Sequence, residues 1–331
     1  MNSSRWTFAS GILAAGIVLG GIAVGAVAYF GAEGVSAQGG TGRSGPLLAF
    51  VPQGASLIGY VDLKSVASSP LAESWSEGVR ERTPFAALDE LEESTGIDVL
   101  NDVDSLTLAV GPGTGKPERW GIAVEGVFDR DRLVAKLSAH KTDVETSSHA
   151  GTDLYLIQSG TQSTAMAQPD DSTLLIGEPG FVREMLDAGS GQKPSAAGNL
   201  ESWGYGGFEE EAFWFAGTPP DVVHGLVGRG SETASLRSFA VTGRLDTDLL
   251  LRARGQAVDS KSARELADVA RGLIALGRLR QDGSPQGAAL GKLMESVSVE
   301  LVDQAIEVNL LVPYDSIRLF LESHDKVAAQ P

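Results

Sequence analysis

The sequence predicts an α+β protein in which helices pack on one face of an antiparallel sheet, after one N-terminal transmembrane helix or signal sequence. Within Leu236–Gly277, apolar residues alternate with a period of two on both sides of Asp246-Thr247. This pattern is typical of paired antiparallel strands with one buried face. After Asp259 and Ser260, either of which can cap a helix, the apolar spacing changes to i, i+3, i+4, i+7 and predicts an amphipathic helix.

The same order of elements occurs twice along the chain. Residues 47–190 and residues 191–331 each predict a strand, helical sequence, a hairpin, a helix, a further hairpin and a closing helix. We therefore predict two diverged tandem repeats of one α+β unit. The boundary lies in residues 189–207, which are rich in Gly, Ser and Ala.

The N-terminal region predicts a membrane segment. Residues 10–32 carry no charged side chain, and at about 1.5 Å per residue a helix of this length just spans a ~30 Å hydrocarbon core. Because Arg5 precedes the segment, residues 1–9 form a cytoplasmic tail and the rest of the chain crosses the membrane. Residues 33–46 form a Gly- and Ser-rich linker.

Cleavage of this segment is the alternative. Val35-Ser36-Ala37 has the small-x-small pattern of a signal-peptidase site. Cleavage near Ala37 would release a secreted or periplasmic protein. The apolar run exceeds the ~7–15 residues usual for a cleavable signal, which favours an uncleaved anchor in the cell membrane. Both alternatives place the folded domain outside the cytoplasm.

Composition excludes several classes of function. The net charge is −17, so the surface repels nucleic-acid phosphates and we expect no nucleic-acid partner. The chain has no cysteine, which excludes disulfides, thiolate metal sites and a cysteine nucleophile.

No motif predicts a nucleotide, cofactor or metal site. The glycines of 111–115 and Lys116 do not have phosphate-loop spacing, and Pro117 follows where a Ser or Thr is needed. The acidic clusters lie at predicted turns and helix starts, where they cap backbone N–H groups. The alternative for these acids is weak surface calcium binding, without the usual calcium-loop pattern.

No motif predicts a catalytic residue either. Two S-x-x-K matches begin at Ser138 and Ser190, the first at a predicted helix end and the second in a Gly-rich stretch. Neither position puts the serine at the start of a helix, as that chemistry requires. The four histidines are scattered and form no metal-binding pair.

Aromatic residues concentrate beside the predicted domain boundary. Two alternatives explain this concentration. One is a partner-binding surface, because aromatic side chains on a Gly-rich loop can form a docking site. Its candidate residues are Trp203, Tyr205, Phe208 and Trp214. The packing alternative, in which the strand residues Phe213 and Phe215 lie in the core while Trp203 covers it, is favoured because large aromatic residues are most often largely buried.

The opening Phe50–Leu63 resembles that of uncharacterised exported bacterial proteins, which place VP-x-x-A-x-L-x-x-Y-V after an N-terminal membrane segment. Leu310–Pro313 and the helix predicted after it are similar to their closing segment. The resemblance implies an extracytoplasmic location and carries over no catalytic residue.

These observations predict a membrane-tethered extracytoplasmic binding or scaffold protein of the bacterial cell envelope, with another envelope protein as a partner. The alternative is an extracytoplasmic hydrolase whose acidic residues come together only in the fold. A deep pocket with converging carboxylates would favour the hydrolase. An open surface patch would favour binding.

Overall fold

A computed structural model describes most of the folded region. The described residues are 45–70, 96–112, 119–139, 143–159, 162–203, 211–218, 236–279 and 293–314. The fold is mixed α+β and is dominated by one large antiparallel sheet.

Twelve described strands form this sheet. Their bounds are β1 Leu57–Asp62, β2 Val103–Val110, β3 Trp120–Gly126, β4 Asp143–His149, β5 Thr152–Ser159, β6 Gln162–Asp170, β7 Thr173–Gly177, β8 Phe213–Gly217, β9 Leu236–Leu245, β10 Leu249–Ala257, β11 Ser298–Val302 and β12 Ala305–Val312. They lie in the order β11-β12-β10-β9-β8-β1-β2-β3-β7-β6-β5-β4. The antiparallel pair β1–β8 therefore joins the strands of the first half to those of the second.

The helices in the described ranges are short except for the last. Their bounds are α1 Gly45–Leu48, α2 Leu63–Ala67, α3 Val99–Asp102, α4 Arg130–Ala139, α5 Pro179–Gly189, α6 Ala197–Ser202 and α7 Ser260–Leu279.

Side chains alternate along each strand and build a separate core on each face of the sheet. We call the face that carries Val61 and Phe213 face A, and the face that carries Tyr60 and Trp214 face B. On face A, α2 contributes Val66 to the core, and α4 contributes Leu133 to it.

Helices also cover face B, so the prediction that helices lie on one face only is wrong. Helix α5 buries Phe181 and Met185 on face B, and α1 buries Leu47 there. The physical reason lies in the central strands: five of the six residues of β1 are buried. A strand buried on both sides requires covering elements on both faces.

Helix α7 contacts β10, β11 and β12. We place it on face A, because the face-A side chains of these strands are apolar, and Leu251 and Leu310 pack against the face-A core. A right-handed crossover from β10 to β11 puts α7 on the same face as α4. Face B of these strands has no helix among the described residues.

Most sequence-predicted strands are confirmed, including those of the β9–β10 hairpin. Helix α7 is confirmed as well. Asp259 caps it, because the Ser262 N–H donates to Asp259 Oδ1 at 2.8 Å. One strand prediction is wrong, because the segment 47–50 continues α1 into a turn. Helix α1 begins at residue 45, within the predicted linker, and α6 lies within the Gly-rich segment 189–207.

Several predictions fall outside the described residues. They include the membrane segment 10–32, the helix from Thr83-Pro84 and the helix from Thr218-Pro219-Pro220 after its first residue. Within the described ranges, no helix combines the length and the apolar character that crossing a membrane requires.

Candidate functional site

The predicted aromatic surface separates into residues with different environments. Trp214 lies in β8 and is fully buried, where its ring stacks on that of Tyr60 with 5.9 Å between centroids. Trp214 therefore cannot form part of an exposed binding surface, because its position in the strand directs it into the face-B core. Tyr205 and Phe208 lie outside the described residues.

Trp203 follows α6 and is half-buried against the face-B core. Its carbonyl oxygen accepts a hydrogen bond from Ser238 Oγ at 3.4 Å, which places it beside the start of β9. Phe213 and Phe215 lie on face A. This arrangement matches the packing alternative for the strand aromatics and leaves Trp203 at the border of the second-half sheet.

Acidic residues do come together in the fold, beside Tyr60. Ser105 Oγ donates to Glu125 Oε2 at 3.0 Å, and Asp62 lies opposite Ser105 in the β1–β2 register. Burial and the nearby carboxylate of Asp62 raise the pKa of the Tyr60 hydroxyl, which hydrogen-bonds with Ser105.

This cluster has the character of a structural network. Ser105 is only 3% exposed, so a substrate cannot reach its hydroxyl. Both oxygens of Asp62 cap helix α2, since they accept from Ser65 N and Ser65 Oγ at 2.8 Å each. A nucleophilic serine needs an accessible hydroxyl and an adjacent base. Ser105 does not meet the first requirement, because its hydroxyl is buried.

The second S-x-x-K match is likewise structural. Ser190 Oγ donates to the carbonyl oxygen of Asp187, whereas Lys193 Nζ pairs with the Asp187 carboxylate at 2.8 Å. The other carboxylate oxygen of Asp187 lies 2.7 Å from His149 Nε2 at the end of β4. Lys193 and His149 hold the pKa of Asp187 below its ordinary value. The group ties α5 to the β4–β5 hairpin.

Two of the acids predicted to cap helices and turns do so. Asp129 accepts from Arg132 N at 3.0 Å before α4, and Asp170 accepts from Ser172 N at 2.9 Å in the β6–β7 turn. Among the described residues, no group of three or more His, Cys, Asp or Glu side chains is placed to hold a metal ion.

The distinctive surface lies on face B of the second half, on β9, β10 and β12. We call it the arginine face. Its side chains, assigned from the strand register, are Thr242, Arg244, Leu250, Arg252, Arg254, Glu307, Asn309 and Leu311. Arg252 and Arg254 are two residues apart on β10, and Arg244 on β9 lies diagonally across the strand pair from Arg252.

Each arginine has a different partner. Arg254 Nη1 lies 2.8 Å from Glu307 Oε1, and Arg244 Nη2 lies 3.4 Å from the buried Glu211. Arg252 donates from Nε to the uncharged side-chain oxygen of Asn309 at 3.3 Å. The side chains of Arg244 and Arg254 are 38% and 32% exposed, and Arg252 is exposed. The arginine face is therefore accessible to solvent.

Sequence reasoning missed this face, although a signal was present. Arg252 and Arg254 alternate with Leu251 and Ala253 in a strand that was correctly predicted. The period-two pattern therefore placed the two arginines together on the side opposite the apolar residues. Their proximity to Arg244 and Asn309 depends on the pairing with β9 and β12.

No protein-family model matches the chain, and no curated protein matches it. One solved structure, crystal form I of TP0453, is similar at a TM-score of 0.44 and 9% sequence identity. The similarity covers 86% of this chain and 99% of that one.

Proposed function

We propose that this protein is a membrane-tethered, extracytoplasmic binding module of the cell envelope, and that the arginine face is its binding surface. The observation that carries the proposal is the accessibility of Arg244, Arg252 and Arg254 on one sheet face. Arginine is enriched in the parts of interfaces that contribute most binding energy, together with tryptophan and tyrosine. Half-buried Trp203 lies at the border of the same face.

A binding role fits the polar groups better than hydrolysis does. The acids that meet near Tyr60 surround a serine that is 3% exposed. His149 and Lys193 both pair with the carboxylate of Asp187, whose side chain is only 11% exposed. A hydrolase would need an accessible acid or nucleophile with room for substrate.

The tandem-repeat prediction becomes part of this proposal. The series β1-β2-β3-β7-β6 and the series β8-β9-β10-β12-β11 have the same connections, with a helix after the third strand of each. They meet at the antiparallel β1–β8 pair, as two copies related by a two-fold axis would. The hairpin formed by β4 and β5 is then an addition to the first repeat, and the boundary lies near residue 190.

The location is proposed from the sequence. Residues 10–32 anchor the chain in the membrane, residues 1–9 stay in the cytoplasm, and residues 33–44 lead to α1 outside. An anchor of this kind holds a binding domain close to other envelope proteins and raises its effective concentration toward them.

The test is an affinity capture from detergent-solubilised envelope of the source organism. The bait is the full chain in three forms: wild type, the double variant Trp203→Ala/Arg252→Ala, and the control Arg264→Ala, whose arginine is exposed on α7. We expect a protein that wild type and the control retain and the double variant loses. Equal retention by all three folded baits, or no specific retention by wild type, would overturn the proposal.

A further inference from the structure

We infer that the arginine face binds an extended segment of a partner protein that carries carboxylate side chains at alternating positions. The inference rests on the proposed binding function and adds the chemical class of the ligand.

The first argument is the environment of the two guanidinium groups on β10. Arg252 is exposed, and its Nε donates to the uncharged side-chain oxygen of Asn309. Arg254 donates from Nη1 to Glu307, and its side chain is 32% exposed. A guanidinium has five N–H donors in a planar fork, and carboxylates match this fork with paired, charge-assisted hydrogen bonds. Carboxylates from a partner would accept from the solvent-exposed donors of these two side chains.

The second argument is spacing. Arg252 and Arg254 are two residues apart on one strand and point to the same face. Their Cα atoms are therefore separated by roughly 7 Å, which is also the i, i+2 distance in an extended peptide. A segment with the pattern Glu-x-Glu can place one carboxylate at each guanidinium without changing its extended conformation.

The third argument is the apolar end of the face. Leu250 precedes Arg252 on the same side of β10, and its neighbour in the β12 register is Leu311, which is 44% exposed. An apolar side chain two residues before the first carboxylate of the ligand would reach these leucines. The complementary pattern is Leu-x-Glu-x-Glu.

Size and charge favour a protein segment over a folded domain or a polyanion. Three strands spaced about 4.8 Å apart, with pairing over eight residues, span roughly 15 Å by 25 Å. This area suits one extended segment and is smaller than a standard domain interface. A long polyanion would extend beyond the arginines and would encounter repulsion from Glu300 on β11 and from the net charge of −17. A segment with two carboxylates needs to reach only Arg252 and Arg254.

The test uses a fluorescent peptide containing Leu-Thr-Glu-Thr-Glu-Thr and a control peptide with both Glu replaced by Gln. Binding to the full chain in detergent is followed by fluorescence anisotropy. We expect wild type to bind the acidic peptide about tenfold or more tightly than the control, and less tightly as salt rises. The double variant Arg252→Gln/Arg254→Gln should lose this preference, whereas Arg264→Gln should keep it.

Three results would overturn the inference. They are equal binding of both peptides, wild-type affinity in the folded double variant, and no peptide binding by a chain that still captures a partner through the arginine face. The last result would leave the proposed function standing and reject only the acidic-segment ligand. Where the acidic peptide does not bind, direct binding of heparin that Arg252→Gln/Arg254→Gln abolishes would identify a polyanion as the ligand.

Discussion

The rings of Tyr60 and Trp214 stack across the β1–β8 pair with their planes inclined by 26°. Both side chains are at most 2% exposed. This aromatic pair forms a cross-strand contact on face B where the strands of the two halves of the chain meet.

Replacing Trp214 by Ala should lower the free energy of unfolding by about 3–5 kcal/mol, because it leaves a cavity at the junction. Trp214→Phe keeps an aromatic ring against Tyr60 and should cost less. Urea unfolding followed by circular dichroism measures both. A Trp214→Ala variant that is as stable as wild type but binds its partner poorly would show that Trp214 acts in binding after all.

Tyr60 should make the protein sensitive to alkali. Burial raises the pKa of its hydroxyl above the ordinary value of about 10. The folded state thus keeps the proton more tightly than the unfolded state, so this contribution to stability is complete below about pH 10 and is lost as the pH rises further. Tyr60→Phe should flatten the fall in stability between pH 9 and 11, measured by thermal unfolding. An unchanged slope would contradict the assignment.

Asp187 should stabilise the folded state at neutral pH and lose this contribution in acid. Lys193 and His149 lower its pKa, so its contribution is present above the ordinary carboxyl pKa of about 3.9 and is lost as pH falls through the lower folded value. Asp187→Asn should cost about 1 kcal/mol at pH 7 and progressively less below pH 4, by urea unfolding. The matched control is Asp153→Asn, which removes the exposed ion pair with Arg130 and should cost less. Equal costs for both variants at pH 7 would argue against a role for Asp187.

Two glycines should respond in opposite directions to a methyl group. In β1, a Cβ on Gly59 would lie 2.6 Å from the ring of Phe215, so Gly59→Ala should destabilise the protein by about 1–3 kcal/mol. In α7, Gly272 has open space around its Cα, so Gly272→Ala should stabilise it by about 0.5–1 kcal/mol. Thermal unfolding measures both changes. Stabilisation by Gly59→Ala would be inconsistent with the packing of Phe215.

Much of the fold could be predicted because strand and helix periods are local. The alternation of Leu249, Leu251 and Ala253 predicted β10, and the change of period after Asp259 predicted α7. Glu178 was predicted to open a helix, and its carboxylate accepts from Gly180 N and Phe181 N at 2.9 and 2.8 Å. These features depend on residues within one or two turns of each other.

The candidate site could be predicted only in part. Trp203 was identified from the aromatic stretch and lies at the border of the arginine face. Trp214 was predicted to share an aromatic surface with Trp203, because both lie in one aromatic-rich stretch, yet strand alternation places its ring in the core. The sequence does not identify Arg252 and Arg254 as binding residues, because an exposed arginine in a strand is common.

The sequence alone determined the element types, most strand positions, the acidic character and the lack of recognisable catalytic sequence motifs, because these depend on composition and short-range spacing. Only the tertiary structure decided which strands are neighbours. Pairing of β10 with β12 brings Asn309 opposite Arg252, and pairing with β9 places Arg244 diagonally across from Arg252. Because β1 is buried on both sides, helices cover both faces of the sheet. Such contacts join residues far apart in the chain, and their energy depends on the packing of the whole sheet.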